Sequence, residues 1–486
     1  MRRIRIALAA IPAALVLNIA QAGVFPATAG GPTGGDTSGD SAGTASLDGF
    51  TKRVVATGLG NPYEIVWGPD SFLWAAEKSG KKITRVNPQT GAKSTALDLT
   101  KKAWHTEGGQ DGVLGLALHP ELLKNKGHDY VYVSYTYDSN PSDAEVDQRL
   151  RIDRYTYDSK TGTLGKPKNL IAGLPSGTDH QSGRLRFGPD GKLYYTIGDQ
   201  GANQLQHYCE PNRAQWLPTE GQIKAKDWIA YRGKTLRLDP ENGSIPADNP
   251  VLDGVRSHVW AYGFRNAQGL DFGTDGTLYS TDQGPKTDDE VNILTKGTNY
   301  GWPYVAGYRD DKAYAFHQWS ASAPTPCADL TYSDLEVPKS VPTQKETDWK
   351  GTFTPPIRTF GTVPSNFDFS DPKCGELAFI CWPSLANSSV TYYPETGGIT
   401  KWRNSLLMTT LKDGSVYQLE LTDDKKKIVQ STKLWTAQNR YRDIALSPDG
   451  KSVYVATDSE GLVRDRNGAP ATTLDNPGSI LVFRLK

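Results

Sequence analysis

The chain has 486 residues, and its 54 Lys and Arg balance its 54 Asp and Glu, so the formal net charge is zero. This balance argues against a nucleic-acid partner, which requires a basic face. The content of charged residues (22%) and aromatic residues (10%) excludes a disordered chain. A chain of this length usually holds several domains, but a β-propeller is an exception because each blade adds its own slice of core.

The N-terminal segment predicts export. Residues 1–22 combine a basic start, a short apolar stretch and the cleavage-type sequence Ala20-Gln21-Ala22, which indicate a signal peptide; a second cleavage point follows Ala29. Residues 30–49 are rich in Gly, Ser and Thr and predict a flexible tether. We therefore expect a secreted protein, extracellular or periplasmic, without a membrane span.

Export permits disulfide bonds, and the chain has four cysteines: Cys209, Cys327, Cys374 and Cys381. Cys374 and Cys381 are the natural pair by sequence distance, which leaves Cys209 for Cys327, although three connectivities are open. A metal site is the weaker interpretation, because no CxxC pair or clustered histidine accompanies these cysteines.

One sequence pattern recurs along the chain: a short apolar strand, a turn of the Pro-Asp-Gly kind and an aromatic-rich strand. The copies begin at Glu64, Gly115, Gly183, Gly269 and Asp443, and a looser sixth copy spans 402–421. Each copy predicts a hairpin. Six such units predict an all-β, six-bladed β-propeller over 50–486 with long inter-strand insertions, most obviously 303–390. A pair of β-sandwiches would explain the strands but not the constant pattern.

Polar residues precede the first strand of four units at a similar distance from the turn. Equivalent positions in a propeller fall on one face around the central channel, so these residues should meet at one mouth. They are Gln110-Asp111, Asp179-His180-Gln181, Arg265-Asn266 and Arg440-Tyr441-Arg442. The ends of the following strands add Asp199, Gln283 and Lys412.

The chemistry of this predicted mouth is informative. Its four cations, in a protein without net positive charge, predict a polyanionic ligand. His180 near Asp179 and Asp199 suits a general base held in one tautomer. No Gly-rich nucleotide loop and no Gly-x-Ser-x-Gly elbow supports another class of enzyme. Residues 283–290 offer oxygen ligands that suit Ca²⁺, although a solvated acidic turn is the ordinary interpretation of such a run.

Six longer stretches of sequence are specific enough to indicate a family. They are GLPSGTDHQSGRLRFGPDGKLYYTIGDQGANQ, GFRNAQGL, DQGPKTDDEVN, GTNYGWPYVAGYRDD, CGELAFICWP and NRYRDIALSPDG. From Phe50 to Lys486 the chain resembles the soluble glucose dehydrogenases that use pyrroloquinoline quinone (PQQ), within the glucose/sorbosone dehydrogenase family. The resemblance implies a six-bladed β-propeller, in agreement with the repeats. It also implies oxidation of the anomeric carbon of an aldose to a lactone, by hydride transfer to PQQ.

The resemblance assigns a role to each residue of the mouth. His180 is the general base, Asp199 orients it, and Arg265 steadies the charge that grows on the quinone. The sugar contacts are Gln110, Asp179, Gln204, Trp382 and Phe379. The PQQ contacts are Arg265, Asn266, Lys412, Arg440, Arg442 and Ser384. The external electron acceptor is a dye, a quinone or a cytochrome-like protein.

The resemblance also implies calcium. The carbonyls of Gly284 and Pro285 hold a Ca²⁺ that polarises the quinone. A further calcium pair uses Glu290, Tyr300, Ala306, Tyr308, Asp310 and Glu346. In the family this pair holds the subunit together and serves dimerisation, which leaves a homodimer open for this chain.

The chain departs from the family at three positions of the mouth. Phe379 stands where the best-known members have a tyrosine, Ser384 replaces a threonine, and Asp413 follows Lys412 where a basic residue is usual. Two alternative functions follow from the same residues. A ligand-binding propeller without turnover would not need a base, and a Ca²⁺-dependent lactonase on a similar propeller would leave the arginines unused.

Overall fold

The computed structural model describes residues 49–486, apart from the side chain of Glu376. The predicted signal peptide and nearly all of the predicted tether lie outside these residues. Within the described range, six four-stranded antiparallel sheets form the blades of a β-propeller, as the repeats predicted. The same range contains no helix with the length and hydropathy that a membrane span needs.

The first half of the chain supplies three blades. Strand β1 (Phe50–Ala56) belongs to the last blade. Blade 1 consists of β2 (Pro62–Trp67), β3 (Leu73–Glu77), β4 (Lys82–Val86) and β5 (Lys93–Asp98). Blade 2 consists of β6 (Val113–Leu118), β7 (Tyr130–Asp138), β8 (Gln148–Asp158) and β9 (Thr163–Pro175). Blade 3 consists of β10 (Ser182–Phe187), β11 (Leu193–Ile197), β12 (Lys234–Leu238) and, after the small hairpin β13 (Val251–Leu252) and β14 (Val255–Arg256), β15 (Val259–Tyr262).

The second half supplies the others. Blade 4 consists of β16 (Ala267–Phe272), β17 (Leu278–Asp282), β18 (Asp289–Leu294) and, after β19 (Phe316–His317) and β20 (Thr343–Gln344), β21 (Arg358–Phe360). Blade 5 consists of β22 (Asn387–Tyr393), β23 (Ser405–Thr410), β24 (Ser415–Leu421) and β25 (Ile428–Thr436). Blade 6 consists of β26 (Tyr441–Leu446), β27 (Ser452–Thr457) and, after β28 (Val463–Arg464) and β29 (Pro470–Ala471), β30 (Ile480–Leu485), with β1 at its edge.

Helices are few and short in the described range. The α-helices are α1 (Glu220–Ala225) and α2 (Ala378–Cys381). The 3₁₀ turns are Leu205–His207, Ile229–Tyr231, Trp319–Ala321, Cys327–Asp329, Glu346–Asp348, Gly375–Leu377 and Thr400–Trp402.

The first strands of the blades form a closed ring. Each of β2, β6, β10, β16, β22 and β26 contacts the first strand of the next blade, and β26 contacts β2. The ring is fastened by the N-terminal strand, because β1 pairs antiparallel with β30, with Phe50 opposite Leu485. Residues that precede the first strands therefore lie around one end of the central channel.

The recurring turn has a local physical basis. In four copies an aspartate side chain accepts a hydrogen bond from the amide two residues later, at 3.0–3.3 Å. The pairs are Asp70 with Phe72, Asp190 with Lys192, Asp275 with Thr277, and Asp449 with Lys451. This Asx turn reverses the chain between the first and second strands.

The sixth copy differs from its prediction. Residues 402–421 form β23 and β24, which are the second and third strands of blade 5 rather than the first and second. The true first hairpin joins β22 to β23 through residues 394–404, which contain a 3₁₀ turn. This connection is longer than a Pro-Asp-Gly turn, so the sequence pattern matched one strand too late.

The predicted insertion 303–390 is divided by a strand of blade 4. Residues 295–357 lie between β18 and β21, and residues 361–386 lie between β21 and β22. Disulfide bonds join Cys209 to Cys327 and Cys374 to Cys381, which is the pairing that sequence distance favoured. The first bond ties the segment after β11 to the longer insertion.

Candidate active site

The ring of first strands opens into a cavity of about 970 Å³. Every blade contributes a lining residue from just before its first strand: Asn61, Gln110, His180, Arg265, Ala386 and Arg440. Both parts of the insertion complete the wall, with Trp302, Tyr332, Phe379 and Trp382 among their residues. The structure therefore brings six residues of the predicted mouth together: Gln110, Asp179, His180, Arg265, Arg440 and Arg442. Their neighbours Asp111, Gln181, Asn266 and Tyr441 do not line the cavity, and Tyr441 packs in a hydrophobic core instead.

A buried histidine–aspartate pair lies on the blade 3 side of this cavity. Nδ1 of His180 lies 2.7 Å from Oδ1 of Asp199, and the exposed fractions of the two residues are 4% and 0%. Further donors reach the carboxylate at 2.8–2.9 Å: the amide of Gly201, the side chain of Asn212 and the indole of Trp302. Burial acts to raise the pKa of Asp199, but attraction to His180 and the hydrogen bonds lower it. The anionic carboxylate therefore keeps a proton on Nδ1 and leaves Nε2 free to accept one.

The hairpin of β10 and β11 positions this pair. Ser182 is paired with Ile197, so His180 and Asp199 emerge side by side, two residues outside the ladder. His180 has a φ of 40°, in the left-handed region. The backbones pack closely here, because a Cβ atom on Gly198 would lie 1.8 Å from the carbonyl oxygen of His180. Such strain, about 1–3 kcal/mol, is found where a functional side chain must be aimed.

Amide and carboxylate groups surround the open nitrogen of the histidine. The side-chain amide of Gln204 donates to Nε2 of His180 across 3.1 Å, and Oδ1 of Asp179 lies 3.7 Å from the same nitrogen. Gln110 donates to Asp179 at 2.7 Å. Asn266 lies beneath this layer and donates to Gln110 at 3.2 Å. These groups offer donors and acceptors to a polyhydroxylated ligand.

Arg265 connects the amide layer to blade 4. Its Nη2 donates to the side-chain oxygen of Gln204 at 3.1 Å and its Nη1 to the carbonyl of Gln283 at 3.2 Å. Its Nε is buried and has no hydrogen-bond partner among the described residues. An unpaired buried donor of a cation is costly.

The opposite wall is cationic. Arg442 binds Asp458 through Nε at 2.8 Å and Nη2 at 2.7 Å, and Arg440 binds the same carboxylate at 3.0 Å. Burial acts to raise the pKa of Asp458, but the arginines outweigh it and lower the pKa to about 2. Lys78 lies beside them and donates to the carbonyl of Gly109 at 2.7 Å; burial lowers its pKa to about 8. Two arginines thus bind one buried carboxylate, with a third cation beside them.

Lys412 adds a fourth cation to this wall. Its ammonium donates to the hydroxyl of Ser384 at 2.7 Å and to the carbonyl of Phe379 at 3.0 Å. Burial, reinforced by a neighbouring arginine, lowers its pKa to about 7. Asp413, one of the departures from the family, does not line the cavity. Its carboxylate pairs instead with Lys433 at 3.0 Å.

Gly284 and Pro285 form a tight turn at the cavity wall. A Cβ atom on Gly284 would lie 1.9 Å from the carbonyl oxygen of Thr287, so only glycine fits. The amide of Gly284 donates to Asp289 at 2.9 Å, while no described residue donates to the carbonyl oxygens of Gly284 and Pro285. Two unpaired carbonyl oxygens are suitable ligands for a hard cation.

The residues predicted for the further calcium pair lie outside the cavity lining. Glu346 accepts hydrogen bonds from the amides of Ala306 and Asp310 at 3.0 and 3.3 Å, and Glu290 accepts one from Gly307 at 2.7 Å. Burial raises the pKa of Glu346 to about 8 and that of Glu290 well above its ordinary value.

The two tyrosines of the predicted calcium set have different surroundings. The pKa of Tyr308 is raised by burial and by nearby carboxylates, including Glu290. The side chain of Tyr300 instead donates to the carbonyl of Ile293 at 2.6 Å and stacks on Phe264, so only its backbone remains as a ligand.

Sequence reasoning missed Lys78, Asp458, Asn212 and Trp302. Lys78 directly follows β3, and Asp458 directly follows β27, in the same relation to a second strand as Gln283 to β17. The repeat therefore contained the signal for the first two. Asn212 and Trp302 come from long connections, whose path no repeat predicts.

Comparison with known proteins identifies relatives of the whole propeller. The family model Glucose / Sorbosone dehydrogenase matches residues 59–332 and 365–464. Quinoprotein glucose dehydrogenase B of Acinetobacter calcoaceticus is 44% identical over 449 residues, which cover 91% of this chain and 92% of the relative. Aldose sugar dehydrogenase YliI of Escherichia coli is 26% identical over 410 residues, covering 83% of this chain and 89% of the relative.

Solved structures share the fold. The PQQ-bound aldose sugar dehydrogenase of Streptomyces coelicolor superposes with a TM-score of 0.59 at 22% identity, over 90% of this chain and 98% of the other. The apo form of the soluble aldose sugar dehydrogenase of Escherichia coli gives 0.62 at 20% identity, over 90% and 100%. Together with the family match and the 44% identical relative, these findings place the chain: it belongs to the glucose/sorbosone dehydrogenase family.

Proposed function

We propose that this protein is a quinoprotein aldose dehydrogenase that oxidises the anomeric carbon of a sugar to a lactone, using PQQ and Ca²⁺. The observation that carries the proposal is one cavity with a buried His180–Asp199 pair on one wall and four cations on the other. Membership of the family, and a 44% identical relative named quinoprotein glucose dehydrogenase B, support this reaction class.

The cavity fits the cofactor. When bound, PQQ supplies an ortho-quinone that accepts the hydride of the sugar, and its carboxylates require cations. Lys412, Arg440 and Arg442 are placed to bind these carboxylates, and Lys78 adds a cation that the family resemblance did not assign. Ser384 would contact the cofactor beside Lys412. Asn266, assigned to the cofactor by the family resemblance, lies beneath the cavity lining and would act through Gln110 and Gln283, to which its amide donates.

Calcium fits the turn of Gly284 and Pro285, whose carbonyl oxygens lack protein donors among the described residues. A cation held there polarises a neighbouring oxygen and favours the growth of negative charge on it. We assign the further calcium pair to Glu290, Tyr300, Ala306, Tyr308, Asp310 and Glu346. Burial raises the pKa values of Glu290 and Glu346, and a bound cation would lower them and favour the ionised carboxylates that bind it.

The residues around His180 each have a role in the proposed reaction. Nε2 of His180 takes the proton of the anomeric hydroxyl, and the Asp199 carboxylate stabilises the resulting imidazolium. Gln110, Asp179 and Gln204 bind sugar hydroxyls, with Trp382 and Phe379 packed at the rim. Arg265 stabilises negative charge opposite the base.

We also propose that residues 1–22 direct export and that residues 30–49 tether the propeller domain of residues 50–486. Electrons from the reaction would pass to an external acceptor, which is a dye, a quinone or a cytochrome-like protein.

The test uses purified mature protein, stripped with EDTA and freed of it. One equivalent of PQQ, millimolar Ca²⁺, glucose or another aldose, and a redox dye are then added singly and together. We expect dye reduction only with all components present. Tight PQQ binding without reduction by any aldose would contradict the assigned substrate. Absence of PQQ binding would favour a ligand-binding propeller, and lactone hydrolysis without quinone would favour a lactonase.

A further inference from the structure

A second group of metal-ligating side chains lies in the turn between β6 and β7. His119 directly follows β6, His128 stands two residues before β7, and Glu121 lies between them. One ligand atom from each of the three lies within 4.8 Å of the others. Because β6 has six residues, roughly 20 Å of strand separates this turn from Gln110 and the cavity.

Hydrogen bonds already hold the three residues close together. Nδ1 of His128 lies 2.6 Å from Oε2 of Glu121, and the amide of Glu121 donates to Nδ1 of His119 across 3.1 Å. The centroids of the two imidazole rings are 4.8 Å apart. A tetrahedral ion with bonds of 2.0–2.1 Å needs ligand atoms roughly 3.4 Å apart, so modest side-chain movements close the site. His119 would offer one of its ring nitrogens, and at His128 the ion would replace the proton shared with Glu121.

The backbone that carries these ligands is well supported. The amide of His119 donates to the carbonyl of Tyr130 at 3.0 Å, which continues the pairing of β6 with β7. The amide of Leu123 donates to the side chain of Asp129 at 2.6 Å and closes the turn. The ring of His119 packs against Phe187 with centroids 5.3 Å apart. The side chains of His128 and Glu121 are 40% and 30% exposed, so water can reach the site.

We propose that His119, Glu121 and His128 bind one zinc ion, or a chemically similar divalent transition metal, with water completing the coordination. Two imidazoles and one carboxylate are typical zinc ligands, whereas Ca²⁺ takes only oxygen. The ammonium of Lys126 lies 2.8 Å from Oε1 of Glu121, so it would compete with the ion for this carboxylate. The bound ion joins the ends of β6 and β7 and stabilises the folded chain.

The experiment is a Zn²⁺ titration by calorimetry on untagged mature protein, stripped with a chelator and held in millimolar Ca²⁺ so that oxygen-ligand sites are filled. We expect one equivalent of Zn²⁺ to bind, and the melting temperature to rise with it. His128→Ala should weaken binding by more than about tenfold, since even indirect supports of a metal site contribute that much.

Two further variants make the titration specific. His207→Ala is the matched control, because His207 is half-buried and also bonded to a glutamate, Glu210, at 3.0 Å, and no third ligand joins them among residues 49–486. It should bind Zn²⁺ like the unaltered protein. Lys126→Ala should tighten binding because it removes the competing cation. Equal Zn²⁺ affinity in the unaltered protein and His128→Ala, or no saturable binding, would overturn the proposal, and weaker binding in Lys126→Ala would contradict it.

Discussion

The two walls of the cavity are built on opposite electrostatic principles. On the proton wall, around His180 and Asp199, the carboxylate is satisfied by the histidine and three further donors. On the cation wall, Arg440 and Arg442 bind the buried carboxylate of Asp458, while Lys78 and Lys412 donate to neutral oxygens.

The difference teaches which wall needs a ligand. The proton wall is preorganised in the protein alone, since the hydrogen bond to Asp199 already fixes the tautomer of the base. The cation wall is incomplete, because burial lowers the pKa values of Lys412 and Lys78 to about 7 and about 8 and makes their positive charges costly. An anion would relieve that cost. We therefore expect substitutions on the proton wall to change turnover, and those on the cation wall to change cofactor affinity.

The largest effect should come from the proton wall. His180→Gln keeps a polar side chain but removes the base, so kcat should fall by about 10²–10⁴-fold. PQQ affinity, measured by fluorescence titration, should stay unchanged. Asp199→Asn should also lower kcat, because the amide cannot stabilise an imidazolium. A rate near that of the unaltered enzyme in His180→Gln would refute the assigned role, and a matching loss of PQQ affinity would refute the separation of the walls.

The next largest effect should come from the cation wall. Lys412→Met removes a charged hydrogen-bond donor to the cofactor, which is worth about 1.5–3 kcal/mol, so the Kd for PQQ should rise roughly 10–100-fold. At saturating PQQ, kcat should change little. Lys433→Met is the matched control, because Lys433 pairs with Asp413 just outside the cavity. A Kd raised equally by both substitutions would show that the effect is not local.

The fold of this chain was largely predictable from its repeats. The Asx turns of four blades depend on contacts two residues apart, such as that between Asp190 and Lys192, so their signal survives in the sequence. Blade 5 was misplaced by one strand because residues 394–404 replace the short turn with a longer connection. The pairing of β1 with β30 joins the two ends of the domain, and nothing local encodes it.

The site was predictable where it follows the propeller repeat. His180, Arg265 and Arg440 occupy equivalent positions before their first strands, and the cavity contains all three. Trp302 reaches the carboxylate of Asp199 from an insertion, at 2.8 Å, and only the folded path of that insertion brings it there. The charges on the cation wall could not be predicted from the sequence either, because they depend on burial as well as on residue type.

The pH dependence of PQQ affinity should report the protonation of the two lysines on the cation wall. In the free protein, burial lowers the pKa of Lys412 to about 7 and that of Lys78 to about 8. An anionic ligand binds the protonated forms, so PQQ affinity should fall as pH rises from 7 to 9, by at most about tenfold per pH unit for each lysine.

The matched variant is the double substitution Lys412→Arg, Lys78→Arg. Arginine stays charged across this range, so the dependence should flatten. Titration of PQQ fluorescence at several pH values measures it. An equal slope in the variant would assign the dependence to other groups.

The smallest effect should come from the rim, which neither wall controls. Phe379 is 44% exposed and lines the cavity, and its contact with the cation wall uses only its backbone carbonyl, which accepts from Lys412. Phe379→Tyr adds one hydroxyl that can bind a sugar, worth about 0.5–1.5 kcal/mol, so the KM should fall about 2–10-fold. Because the base and the cations are untouched, kcat and the Kd for PQQ should not change. Leu377→Tyr is the control, since Leu377 is 38% exposed but does not line the cavity. A change in kcat at constant KM would mean that the rim affects proton transfer at His180. The proposed separation between sugar binding at the rim and chemistry at the proton wall would then be wrong.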